Sequence, residues 1–166
     1  MIYNNEIQSF IINTKERRNR KIRCEKQLKR RNLKSKFFIQ PMNSNPIEGN
    51  KQSHISLIKR SIEDGLDKVL VLEDDFKIIE SLDNLPEMPS DWDILYLGGD
   101  VLRKLEPTRN GWVRCVTKKH HAYLVNLKNE KMIKQMERCL KKKAKKYDDW
   151  MAERIHPIYR CYMLNP

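Results

Sequence analysis

The sequence predicts an α/β fold, a mixed and mostly parallel sheet flanked by helices, built as a single domain from residues 1–166. Three observations lead there. Short apolar runs alternate along the chain with segments of helical periodicity. With 166 residues, the chain can bury roughly two thirds of the surface its unfolded form would expose, enough for one core. The run Val69-Leu70-Val71-Leu72 ends abruptly in Glu73, Asp74 and Asp75. A buried strand that delivers carboxylates to its carboxyl end is a common way to hold a divalent metal.

In order, residues 7–13 read as a first strand and 15–31 as a highly charged helix whose apolar positions are Ile22, Cys24 and Leu28. Residues 36–40 form a short second strand, and the Asn- and Pro-rich stretch 41–50 a loop. A helix is expected to start at Ser53, with Ile55, Ile58 and Ile62 on one face and Gly65 as its stop. Residues 68–72 make the central strand, 81–91 a Pro-punctuated connection, and 92–97 an apolar strand closed by Gly98 and Gly99. Two further strands are expected at 112–117 and 122–125, with His120 and His121 a surface pair ahead of the second. Asn129 can cap a helix whose Met132, Ile133, Met136, Cys139 and Leu140 fall at helical spacing. A short helix at 148–155 and a closing strand at 159–164 complete the chain.

Net charge is +12, and its distribution is uneven. Residues 1–36 hold twelve Lys/Arg against three acids, and 128–146 hold nine against two, so the centre is acidic. Basic flanks suit phosphates of a nucleotide, an anionic membrane surface or a nucleic acid. Nucleic acid is disfavoured because the flanks hold few of the stacking aromatics that single-strand binders interleave with their basic groups, only Tyr3 and Phe10 in the first and none in the second. Cys24, Cys115, Cys139 and Cys161 stand far apart, without zinc-ligand spacing, and read as reduced thiols. No run approaches the roughly 20 apolar residues of a membrane span, and the amino terminus lacks a secretory pattern. The expected location is cytoplasmic, with a peripheral membrane association allowed by the charge.

The five glycines make neither a dinucleotide fingerprint nor a P-loop. What remains is a set of acids: Glu73, Asp74 and Asp75, then Asp100, then Asp148 and Asp149. Hard oxygen ligands suit magnesium or manganese, and a metal held by one or two carboxylates is normally shared with substrate phosphates.

The order of the pieces resembles glycosyltransferase family 25, which includes lipooligosaccharide and collagen galactosyltransferases. The resemblance is carried by Phe10-Ile11-Ile12-Asn13-Thr14-Lys15-Glu16-Arg17-Arg18-Asn19-Arg20, by Gly49-Asn50-Lys51-Gln52-Ser53-His54 and by Leu72-Glu73-Asp74-Asp75. It continues through 92–98 and 121–125 to Asp148-Asp149. Thr14 stands where the family usually has leucine, Asn50 where it often has cysteine, and the stretch 38–49 is short. The resemblance implies a GT-A fold, a nucleotide-diphosphate sugar donor such as UDP-galactose, a glycan or protein hydroxyl acceptor, and Mn2+, with Mg2+ as the second choice. It implies that Asn13, Arg17, Arg20, Ser53, His54, Glu73 and Asp74 bind the donor, that Asp75 and Glu73 hold the metal, and that Asp148 or Asp149 acts near the donor sugar or acceptor. The residues alone leave two rivals open: a metal-dependent nuclease or other phosphoryl-transfer enzyme, and a non-catalytic nucleotide-sugar-binding module.

Overall fold

The computed structural model describes residues 7–79 and 85–165; part of the expected connection, 81–84, lies outside them. The elements are β1 (Gln8–Thr14), α1 (Arg18–Arg30), β2 (Lys36–Gln40), α2 (Pro46–Glu63), β3 (Lys68–Glu73), β4 (Ile94–Lys104), β5 (Trp112–Asn126), α3 (Glu130–Glu137), a 3-10 turn (Arg138–Lys141), α4 (Tyr147–Arg154) and β6 (Cys161–Leu164). The strands form one sheet in the order β2-β1-β3-β5-β4-β6. β1 lies parallel to β2 and β3, β6 is parallel to β4, and β5 runs against its neighbours β3, β4 and β6. The sheet is thus mixed, with every strand but β5 pointing one way.

Alternation of side chains along the strands builds a core on each face. Phe10, Val69, Val71, Tyr123 and Val125 face one side, where Ile55 and Ile58 of α2, Met132 and Met136 of α3 and Met151 of α4 pack on them. Ile11, Leu70, Leu72 and Leu124 face the other, against Cys24 and Leu28 of α1. All four cysteines are buried free thiols. α1 contributes only those two buried residues, and Ile22, expected on its apolar face, is 48% exposed. Among the described residues no helix is long and apolar enough to cross a membrane.

Two expectations need correction. The helix expected at Ser53 starts at Pro46, where the Asn45 side chain accepts from the N–H groups of Ile47 and Glu48. Asn then Pro is an N-cap followed by a favoured first helical residue, and the loop-like composition of 41–50 concealed it. Ser53 is therefore mid-helix, its hydroxyl donating to the Gly49 carbonyl one turn back, and His54 is buried rather than terminal.

The second correction concerns β4 and β5. β4 does not stop at Gly98-Gly99 but continues to Lys104, and the two strands expected at 112–117 and 122–125 are one strand. Their pairing jumps from Asp100–Lys118 to Gly98–Ala122, so β5 carries the extra residues of a bulge, with Lys119 at φ +60°. Gly99 makes that bulge possible, because a Cβ there would sit 2.7 Å from the Lys118 carbonyl oxygen. The bulge carries His120 and His121, so both histidines belong to the sheet; of the expected surface pair His120 is buried and only His121 reaches the surface, its side chain 42% exposed.

Candidate active site

The carboxyl ends of β1 and β3 meet one another, with Ile12 paired to Glu73. Glu73 closes β3 on the face of Val69 and Val71, towards α2, and Asp74 and Asp75 form the turn that follows. Asp74 turns towards α1, whereas Asp75 stands between the two sides, within reach of both Arg20 and His121.

On the α1 side, Asp74 is buried. Its carboxylate accepts from the Asn13 amide nitrogen at 3.0 Å, from Arg20 at 2.7 Å and from Arg17 at 3.3 Å. Arg20 also reaches Asp75 at 3.2 Å. The hydrogen bond to Asp74 raises the Arg20 pKa above its ordinary value, against a smaller lowering by burial. Both guanidinium groups remain partly open to solvent, so they can meet an anionic ligand while Asp74 fixes their positions.

On the α2 side, Glu73 accepts from His54 Nε2 at 3.1 Å and from Asn50 at 3.4 Å through one oxygen, and from His121 Nδ1 at 3.0 Å through the other. His121 Nδ1 is also 3.1 Å from Asp75. Burial would raise the Glu73 pKa, but the hydrogen bonds from His121 and His54 outweigh it and hold the carboxyl well below the usual range. The bond to Glu73 pushes His121 up to about 9, against burial, with the charges of Glu73 and Asp75 adding to the rise. His121 thus acts as the counter-cation of two carboxylates.

That coupling sets an expectation for stability. The His121 pKa is raised on folding from 6.5 to about 9, so its contribution is complete below pH 6.5 and is lost as pH climbs through 9. In metal-free buffer the thermal midpoint should fall across that window, and His121→Gln should flatten the fall. A midpoint equally pH-dependent in the variant would contradict the assignment.

Glu73, Asp75 and His121 each present one ligand atom, all within 4.8 Å of one another. Two carboxylate oxygens and one imidazole nitrogen can hold a divalent ion, and three protein ligands leave positions for phosphate oxygens or water. The donor set therefore fits a divalent metal. Ligation by His121 needs its neutral form, so ion uptake strengthens as pH rises towards 9.

Beside this cluster lies a cleft of about 300 Å³, lined by Asn13, Thr14, Arg17, Arg20, Asn50, His54 and the acid triplet, and walled by Pro41, Met42 and Pro46 ahead of and within the first turn of α2. The buried Asn13 Oδ1 and Thr14 Oγ1 have no hydrogen-bond partner among the described residues. Since the Asp74 carboxylate can only accept, Asn13 must turn its NH2 to it and leave its oxygen as an acceptor for something else.

Asp148 and Asp149 stand in the first turn of α4 and do not line this cleft. Asp148 accepts from the Lys119 backbone N–H at 2.9 Å, and its other oxygen lies 3.2 Å from His120 Nδ1. That second contact is close but off the hydrogen-bond direction, since Nδ1 is left without a partner while Nε2 donates to the Thr117 carbonyl. Burial raises the Asp148 pKa, yet His120 and the Lys119 N–H together lower it below the ordinary value. Asp149 pairs with Lys118 at 2.6 Å.

Among solved structures, the fold is similar to a glycosyltransferase involved in the glycosylation of the major capsid of PBCV-1. The likeness has a TM-score of 0.61 at 11% identity, and covers 96% of this chain and 82% of that chain. No family model matches the sequence, and no curated protein matches it. At this identity the likeness is one of fold.

Asn13, Arg17, Arg20, Ser53, His54, Glu73, Asp74 and Asp75 all border the cleft. Sequence reasoning did not assign His121 or Asn50 to the site. A signal for His121 was present: counted backwards at period two from Val125, a continuous strand puts it on the face of Val71 and Glu73.

Proposed function

We propose that the protein is a metal-dependent glycosyltransferase of the family 25 kind, moving a hexose, galactose by that resemblance, from a nucleoside diphosphate to a hydroxyl on a glycan or a protein. The observation that carries the reading is the convergence of Glu73, Asp75 and His121 with Arg17 and Arg20 at the carboxyl ends of β1 and β3, in a fold similar to that of a glycosyltransferase. A bound divalent ion would neutralise charge on the departing diphosphate. Arg17 and Arg20, braced by Asp74, supply fixed positive charge at the same place. Asn13 offers its free carbonyl oxygen to a donor N–H or O–H group of the nucleotide. By the same resemblance, Asp148 or Asp149, in the first turn of α4, is the acid that would take the acceptor's proton. In this reading the protein works in the cytoplasm, and its basic flanks favour acceptors presented on an anionic surface.

The test is a thermal-shift series with UDP-galactose, UDP-glucose and UDP, with and without Mn2+. Saturating donor at about one hundred times its Kd contributes about 2.7 kcal/mol, a rise of roughly 5–10 °C for a chain of this size. A rise that requires both ion and nucleotide sugar supports the proposal. No rise with any UDP compound, combined with Mn2+-dependent cleavage of nucleic acid, would replace it with phosphoryl-transfer chemistry.

A further inference from the structure

Behind Glu73 runs a buried file of polar side chains that the proposed reaction does not use. His54 Nδ1 lies 2.7 Å from the Tyr123 hydroxyl, and that hydroxyl lies 3.3 Å from the hydroxyl of Tyr147. The three side chains are at most 1% exposed, and the His54 and Tyr147 rings stack at 4.5 Å with 5° between their planes. The file joins three elements: His54 from the middle of α2, Tyr123 from β5, and Tyr147, the first residue of α4.

The protons in this file can be assigned by counting. Ionised Glu73 only accepts, so His54 Nε2 must donate to it. Burial raises both phenols well above their ordinary pKa, so each keeps a proton that needs an acceptor. If Tyr123 donated to Tyr147, the Tyr147 proton would have no acceptor among the described residues, and His54 Nδ1 would need a proton of its own, leaving a buried cation. The opposite direction uses every proton once. Tyr147 donates to Tyr123, Tyr123 donates to Nδ1, and Nε2 donates to Glu73.

We infer that Tyr147, Tyr123 and His54 form a one-way hydrogen-bond chain that positions Glu73, and that it ties this carboxylate to the first turn of α4, where Asp148 and Asp149 stand. Tyr123 holds His54 as the Nε2–H tautomer, the form able to grip Glu73 from behind while its other oxygen faces His121 and Asp75. Orientation of a ligand by such a supporting partner typically accounts for 10–100-fold in metal affinity. His54 is thus a positioning residue for Glu73, and its consequence rests on the metal reading of Glu73 proposed above.

The chain is tested in two ways on the full-length protein. Long-range 15N–1H correlation spectra, recorded without metal, should show His54 protonated at Nε2 and bare at Nδ1. Protonation at Nδ1, alone or together with Nε2, overturns the inference. Mn2+ titration should show binding weakened roughly 10–100-fold in His54→Leu, several-fold in Tyr123→Phe, and recovered in large part in His54→Gln, whose amide nitrogen reaches the place of Nε2. Wild-type affinity in both His54→Leu and Tyr123→Phe also overturns it. If His54→Leu fails to fold, Tyr123→Phe and the spectrum decide. Absence of Mn2+ binding by the wild type would remove the metal reading, while the spectrum still decides the direction of the chain.

Discussion

Asp75→Ala should lower glycosyl transfer by ~10²–10³-fold, the scale on which removing one preorganised charged contact acts, while leaving stability within ~0.5 kcal/mol of the parent. The asymmetry follows from where Asp75 stands. Its side chain is 44% exposed, so its ion pairs with Arg20 and His121 are screened and add little to folding. Yet it is one of the three groups whose ligand atoms converge. Isothermal titration with Mn2+ and a transfer assay on the same preparation check both halves. Unchanged metal affinity in Asp75→Ala would take the ion away from this cluster.

Asp74→Ala should behave in the opposite manner, costing about 1–3 kcal/mol of stability because it strands the buried Asn13 amide. Arg17 and Arg20 keep access to solvent, so they do not become buried unpaired charges. They lose their brace instead. Affinity for UDP should then fall about tenfold, the equivalent of one charge-assisted hydrogen bond, while Mn2+ affinity stays within about threefold. Chemical denaturation measures the first effect and calorimetry the other two. Equal loss of Mn2+ binding in Asp74→Ala and Asp75→Ala would show that the two acids serve one centre and would end the division between them.

Much of the architecture was legible because local chemistry and tertiary packing agree. The second strand, expected at 36–40, coincides with β2, and Asn129 caps α3 by accepting from the Met132 N–H as its position suggests. The uninterrupted apolar run 69–72 ending in three carboxylates was enough to make the acid triplet the centre of attention. Elsewhere the local signal misled. Asn45-Pro46 reads equally as a turn and as a helix start, and only packing of α2 against the sheet decides. Lys118-Lys119-His120-His121 is polar enough to suggest a break, but the bulge opposite Gly99 keeps the strand going. Missing that continuity hid His121, because its role depends on cross-strand register, which composition does not encode. For His54 the motif drew attention to the residue, which does border the cleft; its burial and its partners on β5 and α4 were not legible, because they depend on tertiary packing.

The split of the acid triplet makes the site a matter of parity. Removing one residue from β3, whose side chains alternate between two different cores, would not simply shorten it. It would turn Glu73, the last residue of the strand, away from His54 and His121 and towards α1, while turning Val71 and Leu72 into each other's places. Substitutions along β3 can therefore be graded in severity, but a change in its length is all or nothing: an even step keeps Glu73 on its own side of the sheet, and an odd step turns it to the other.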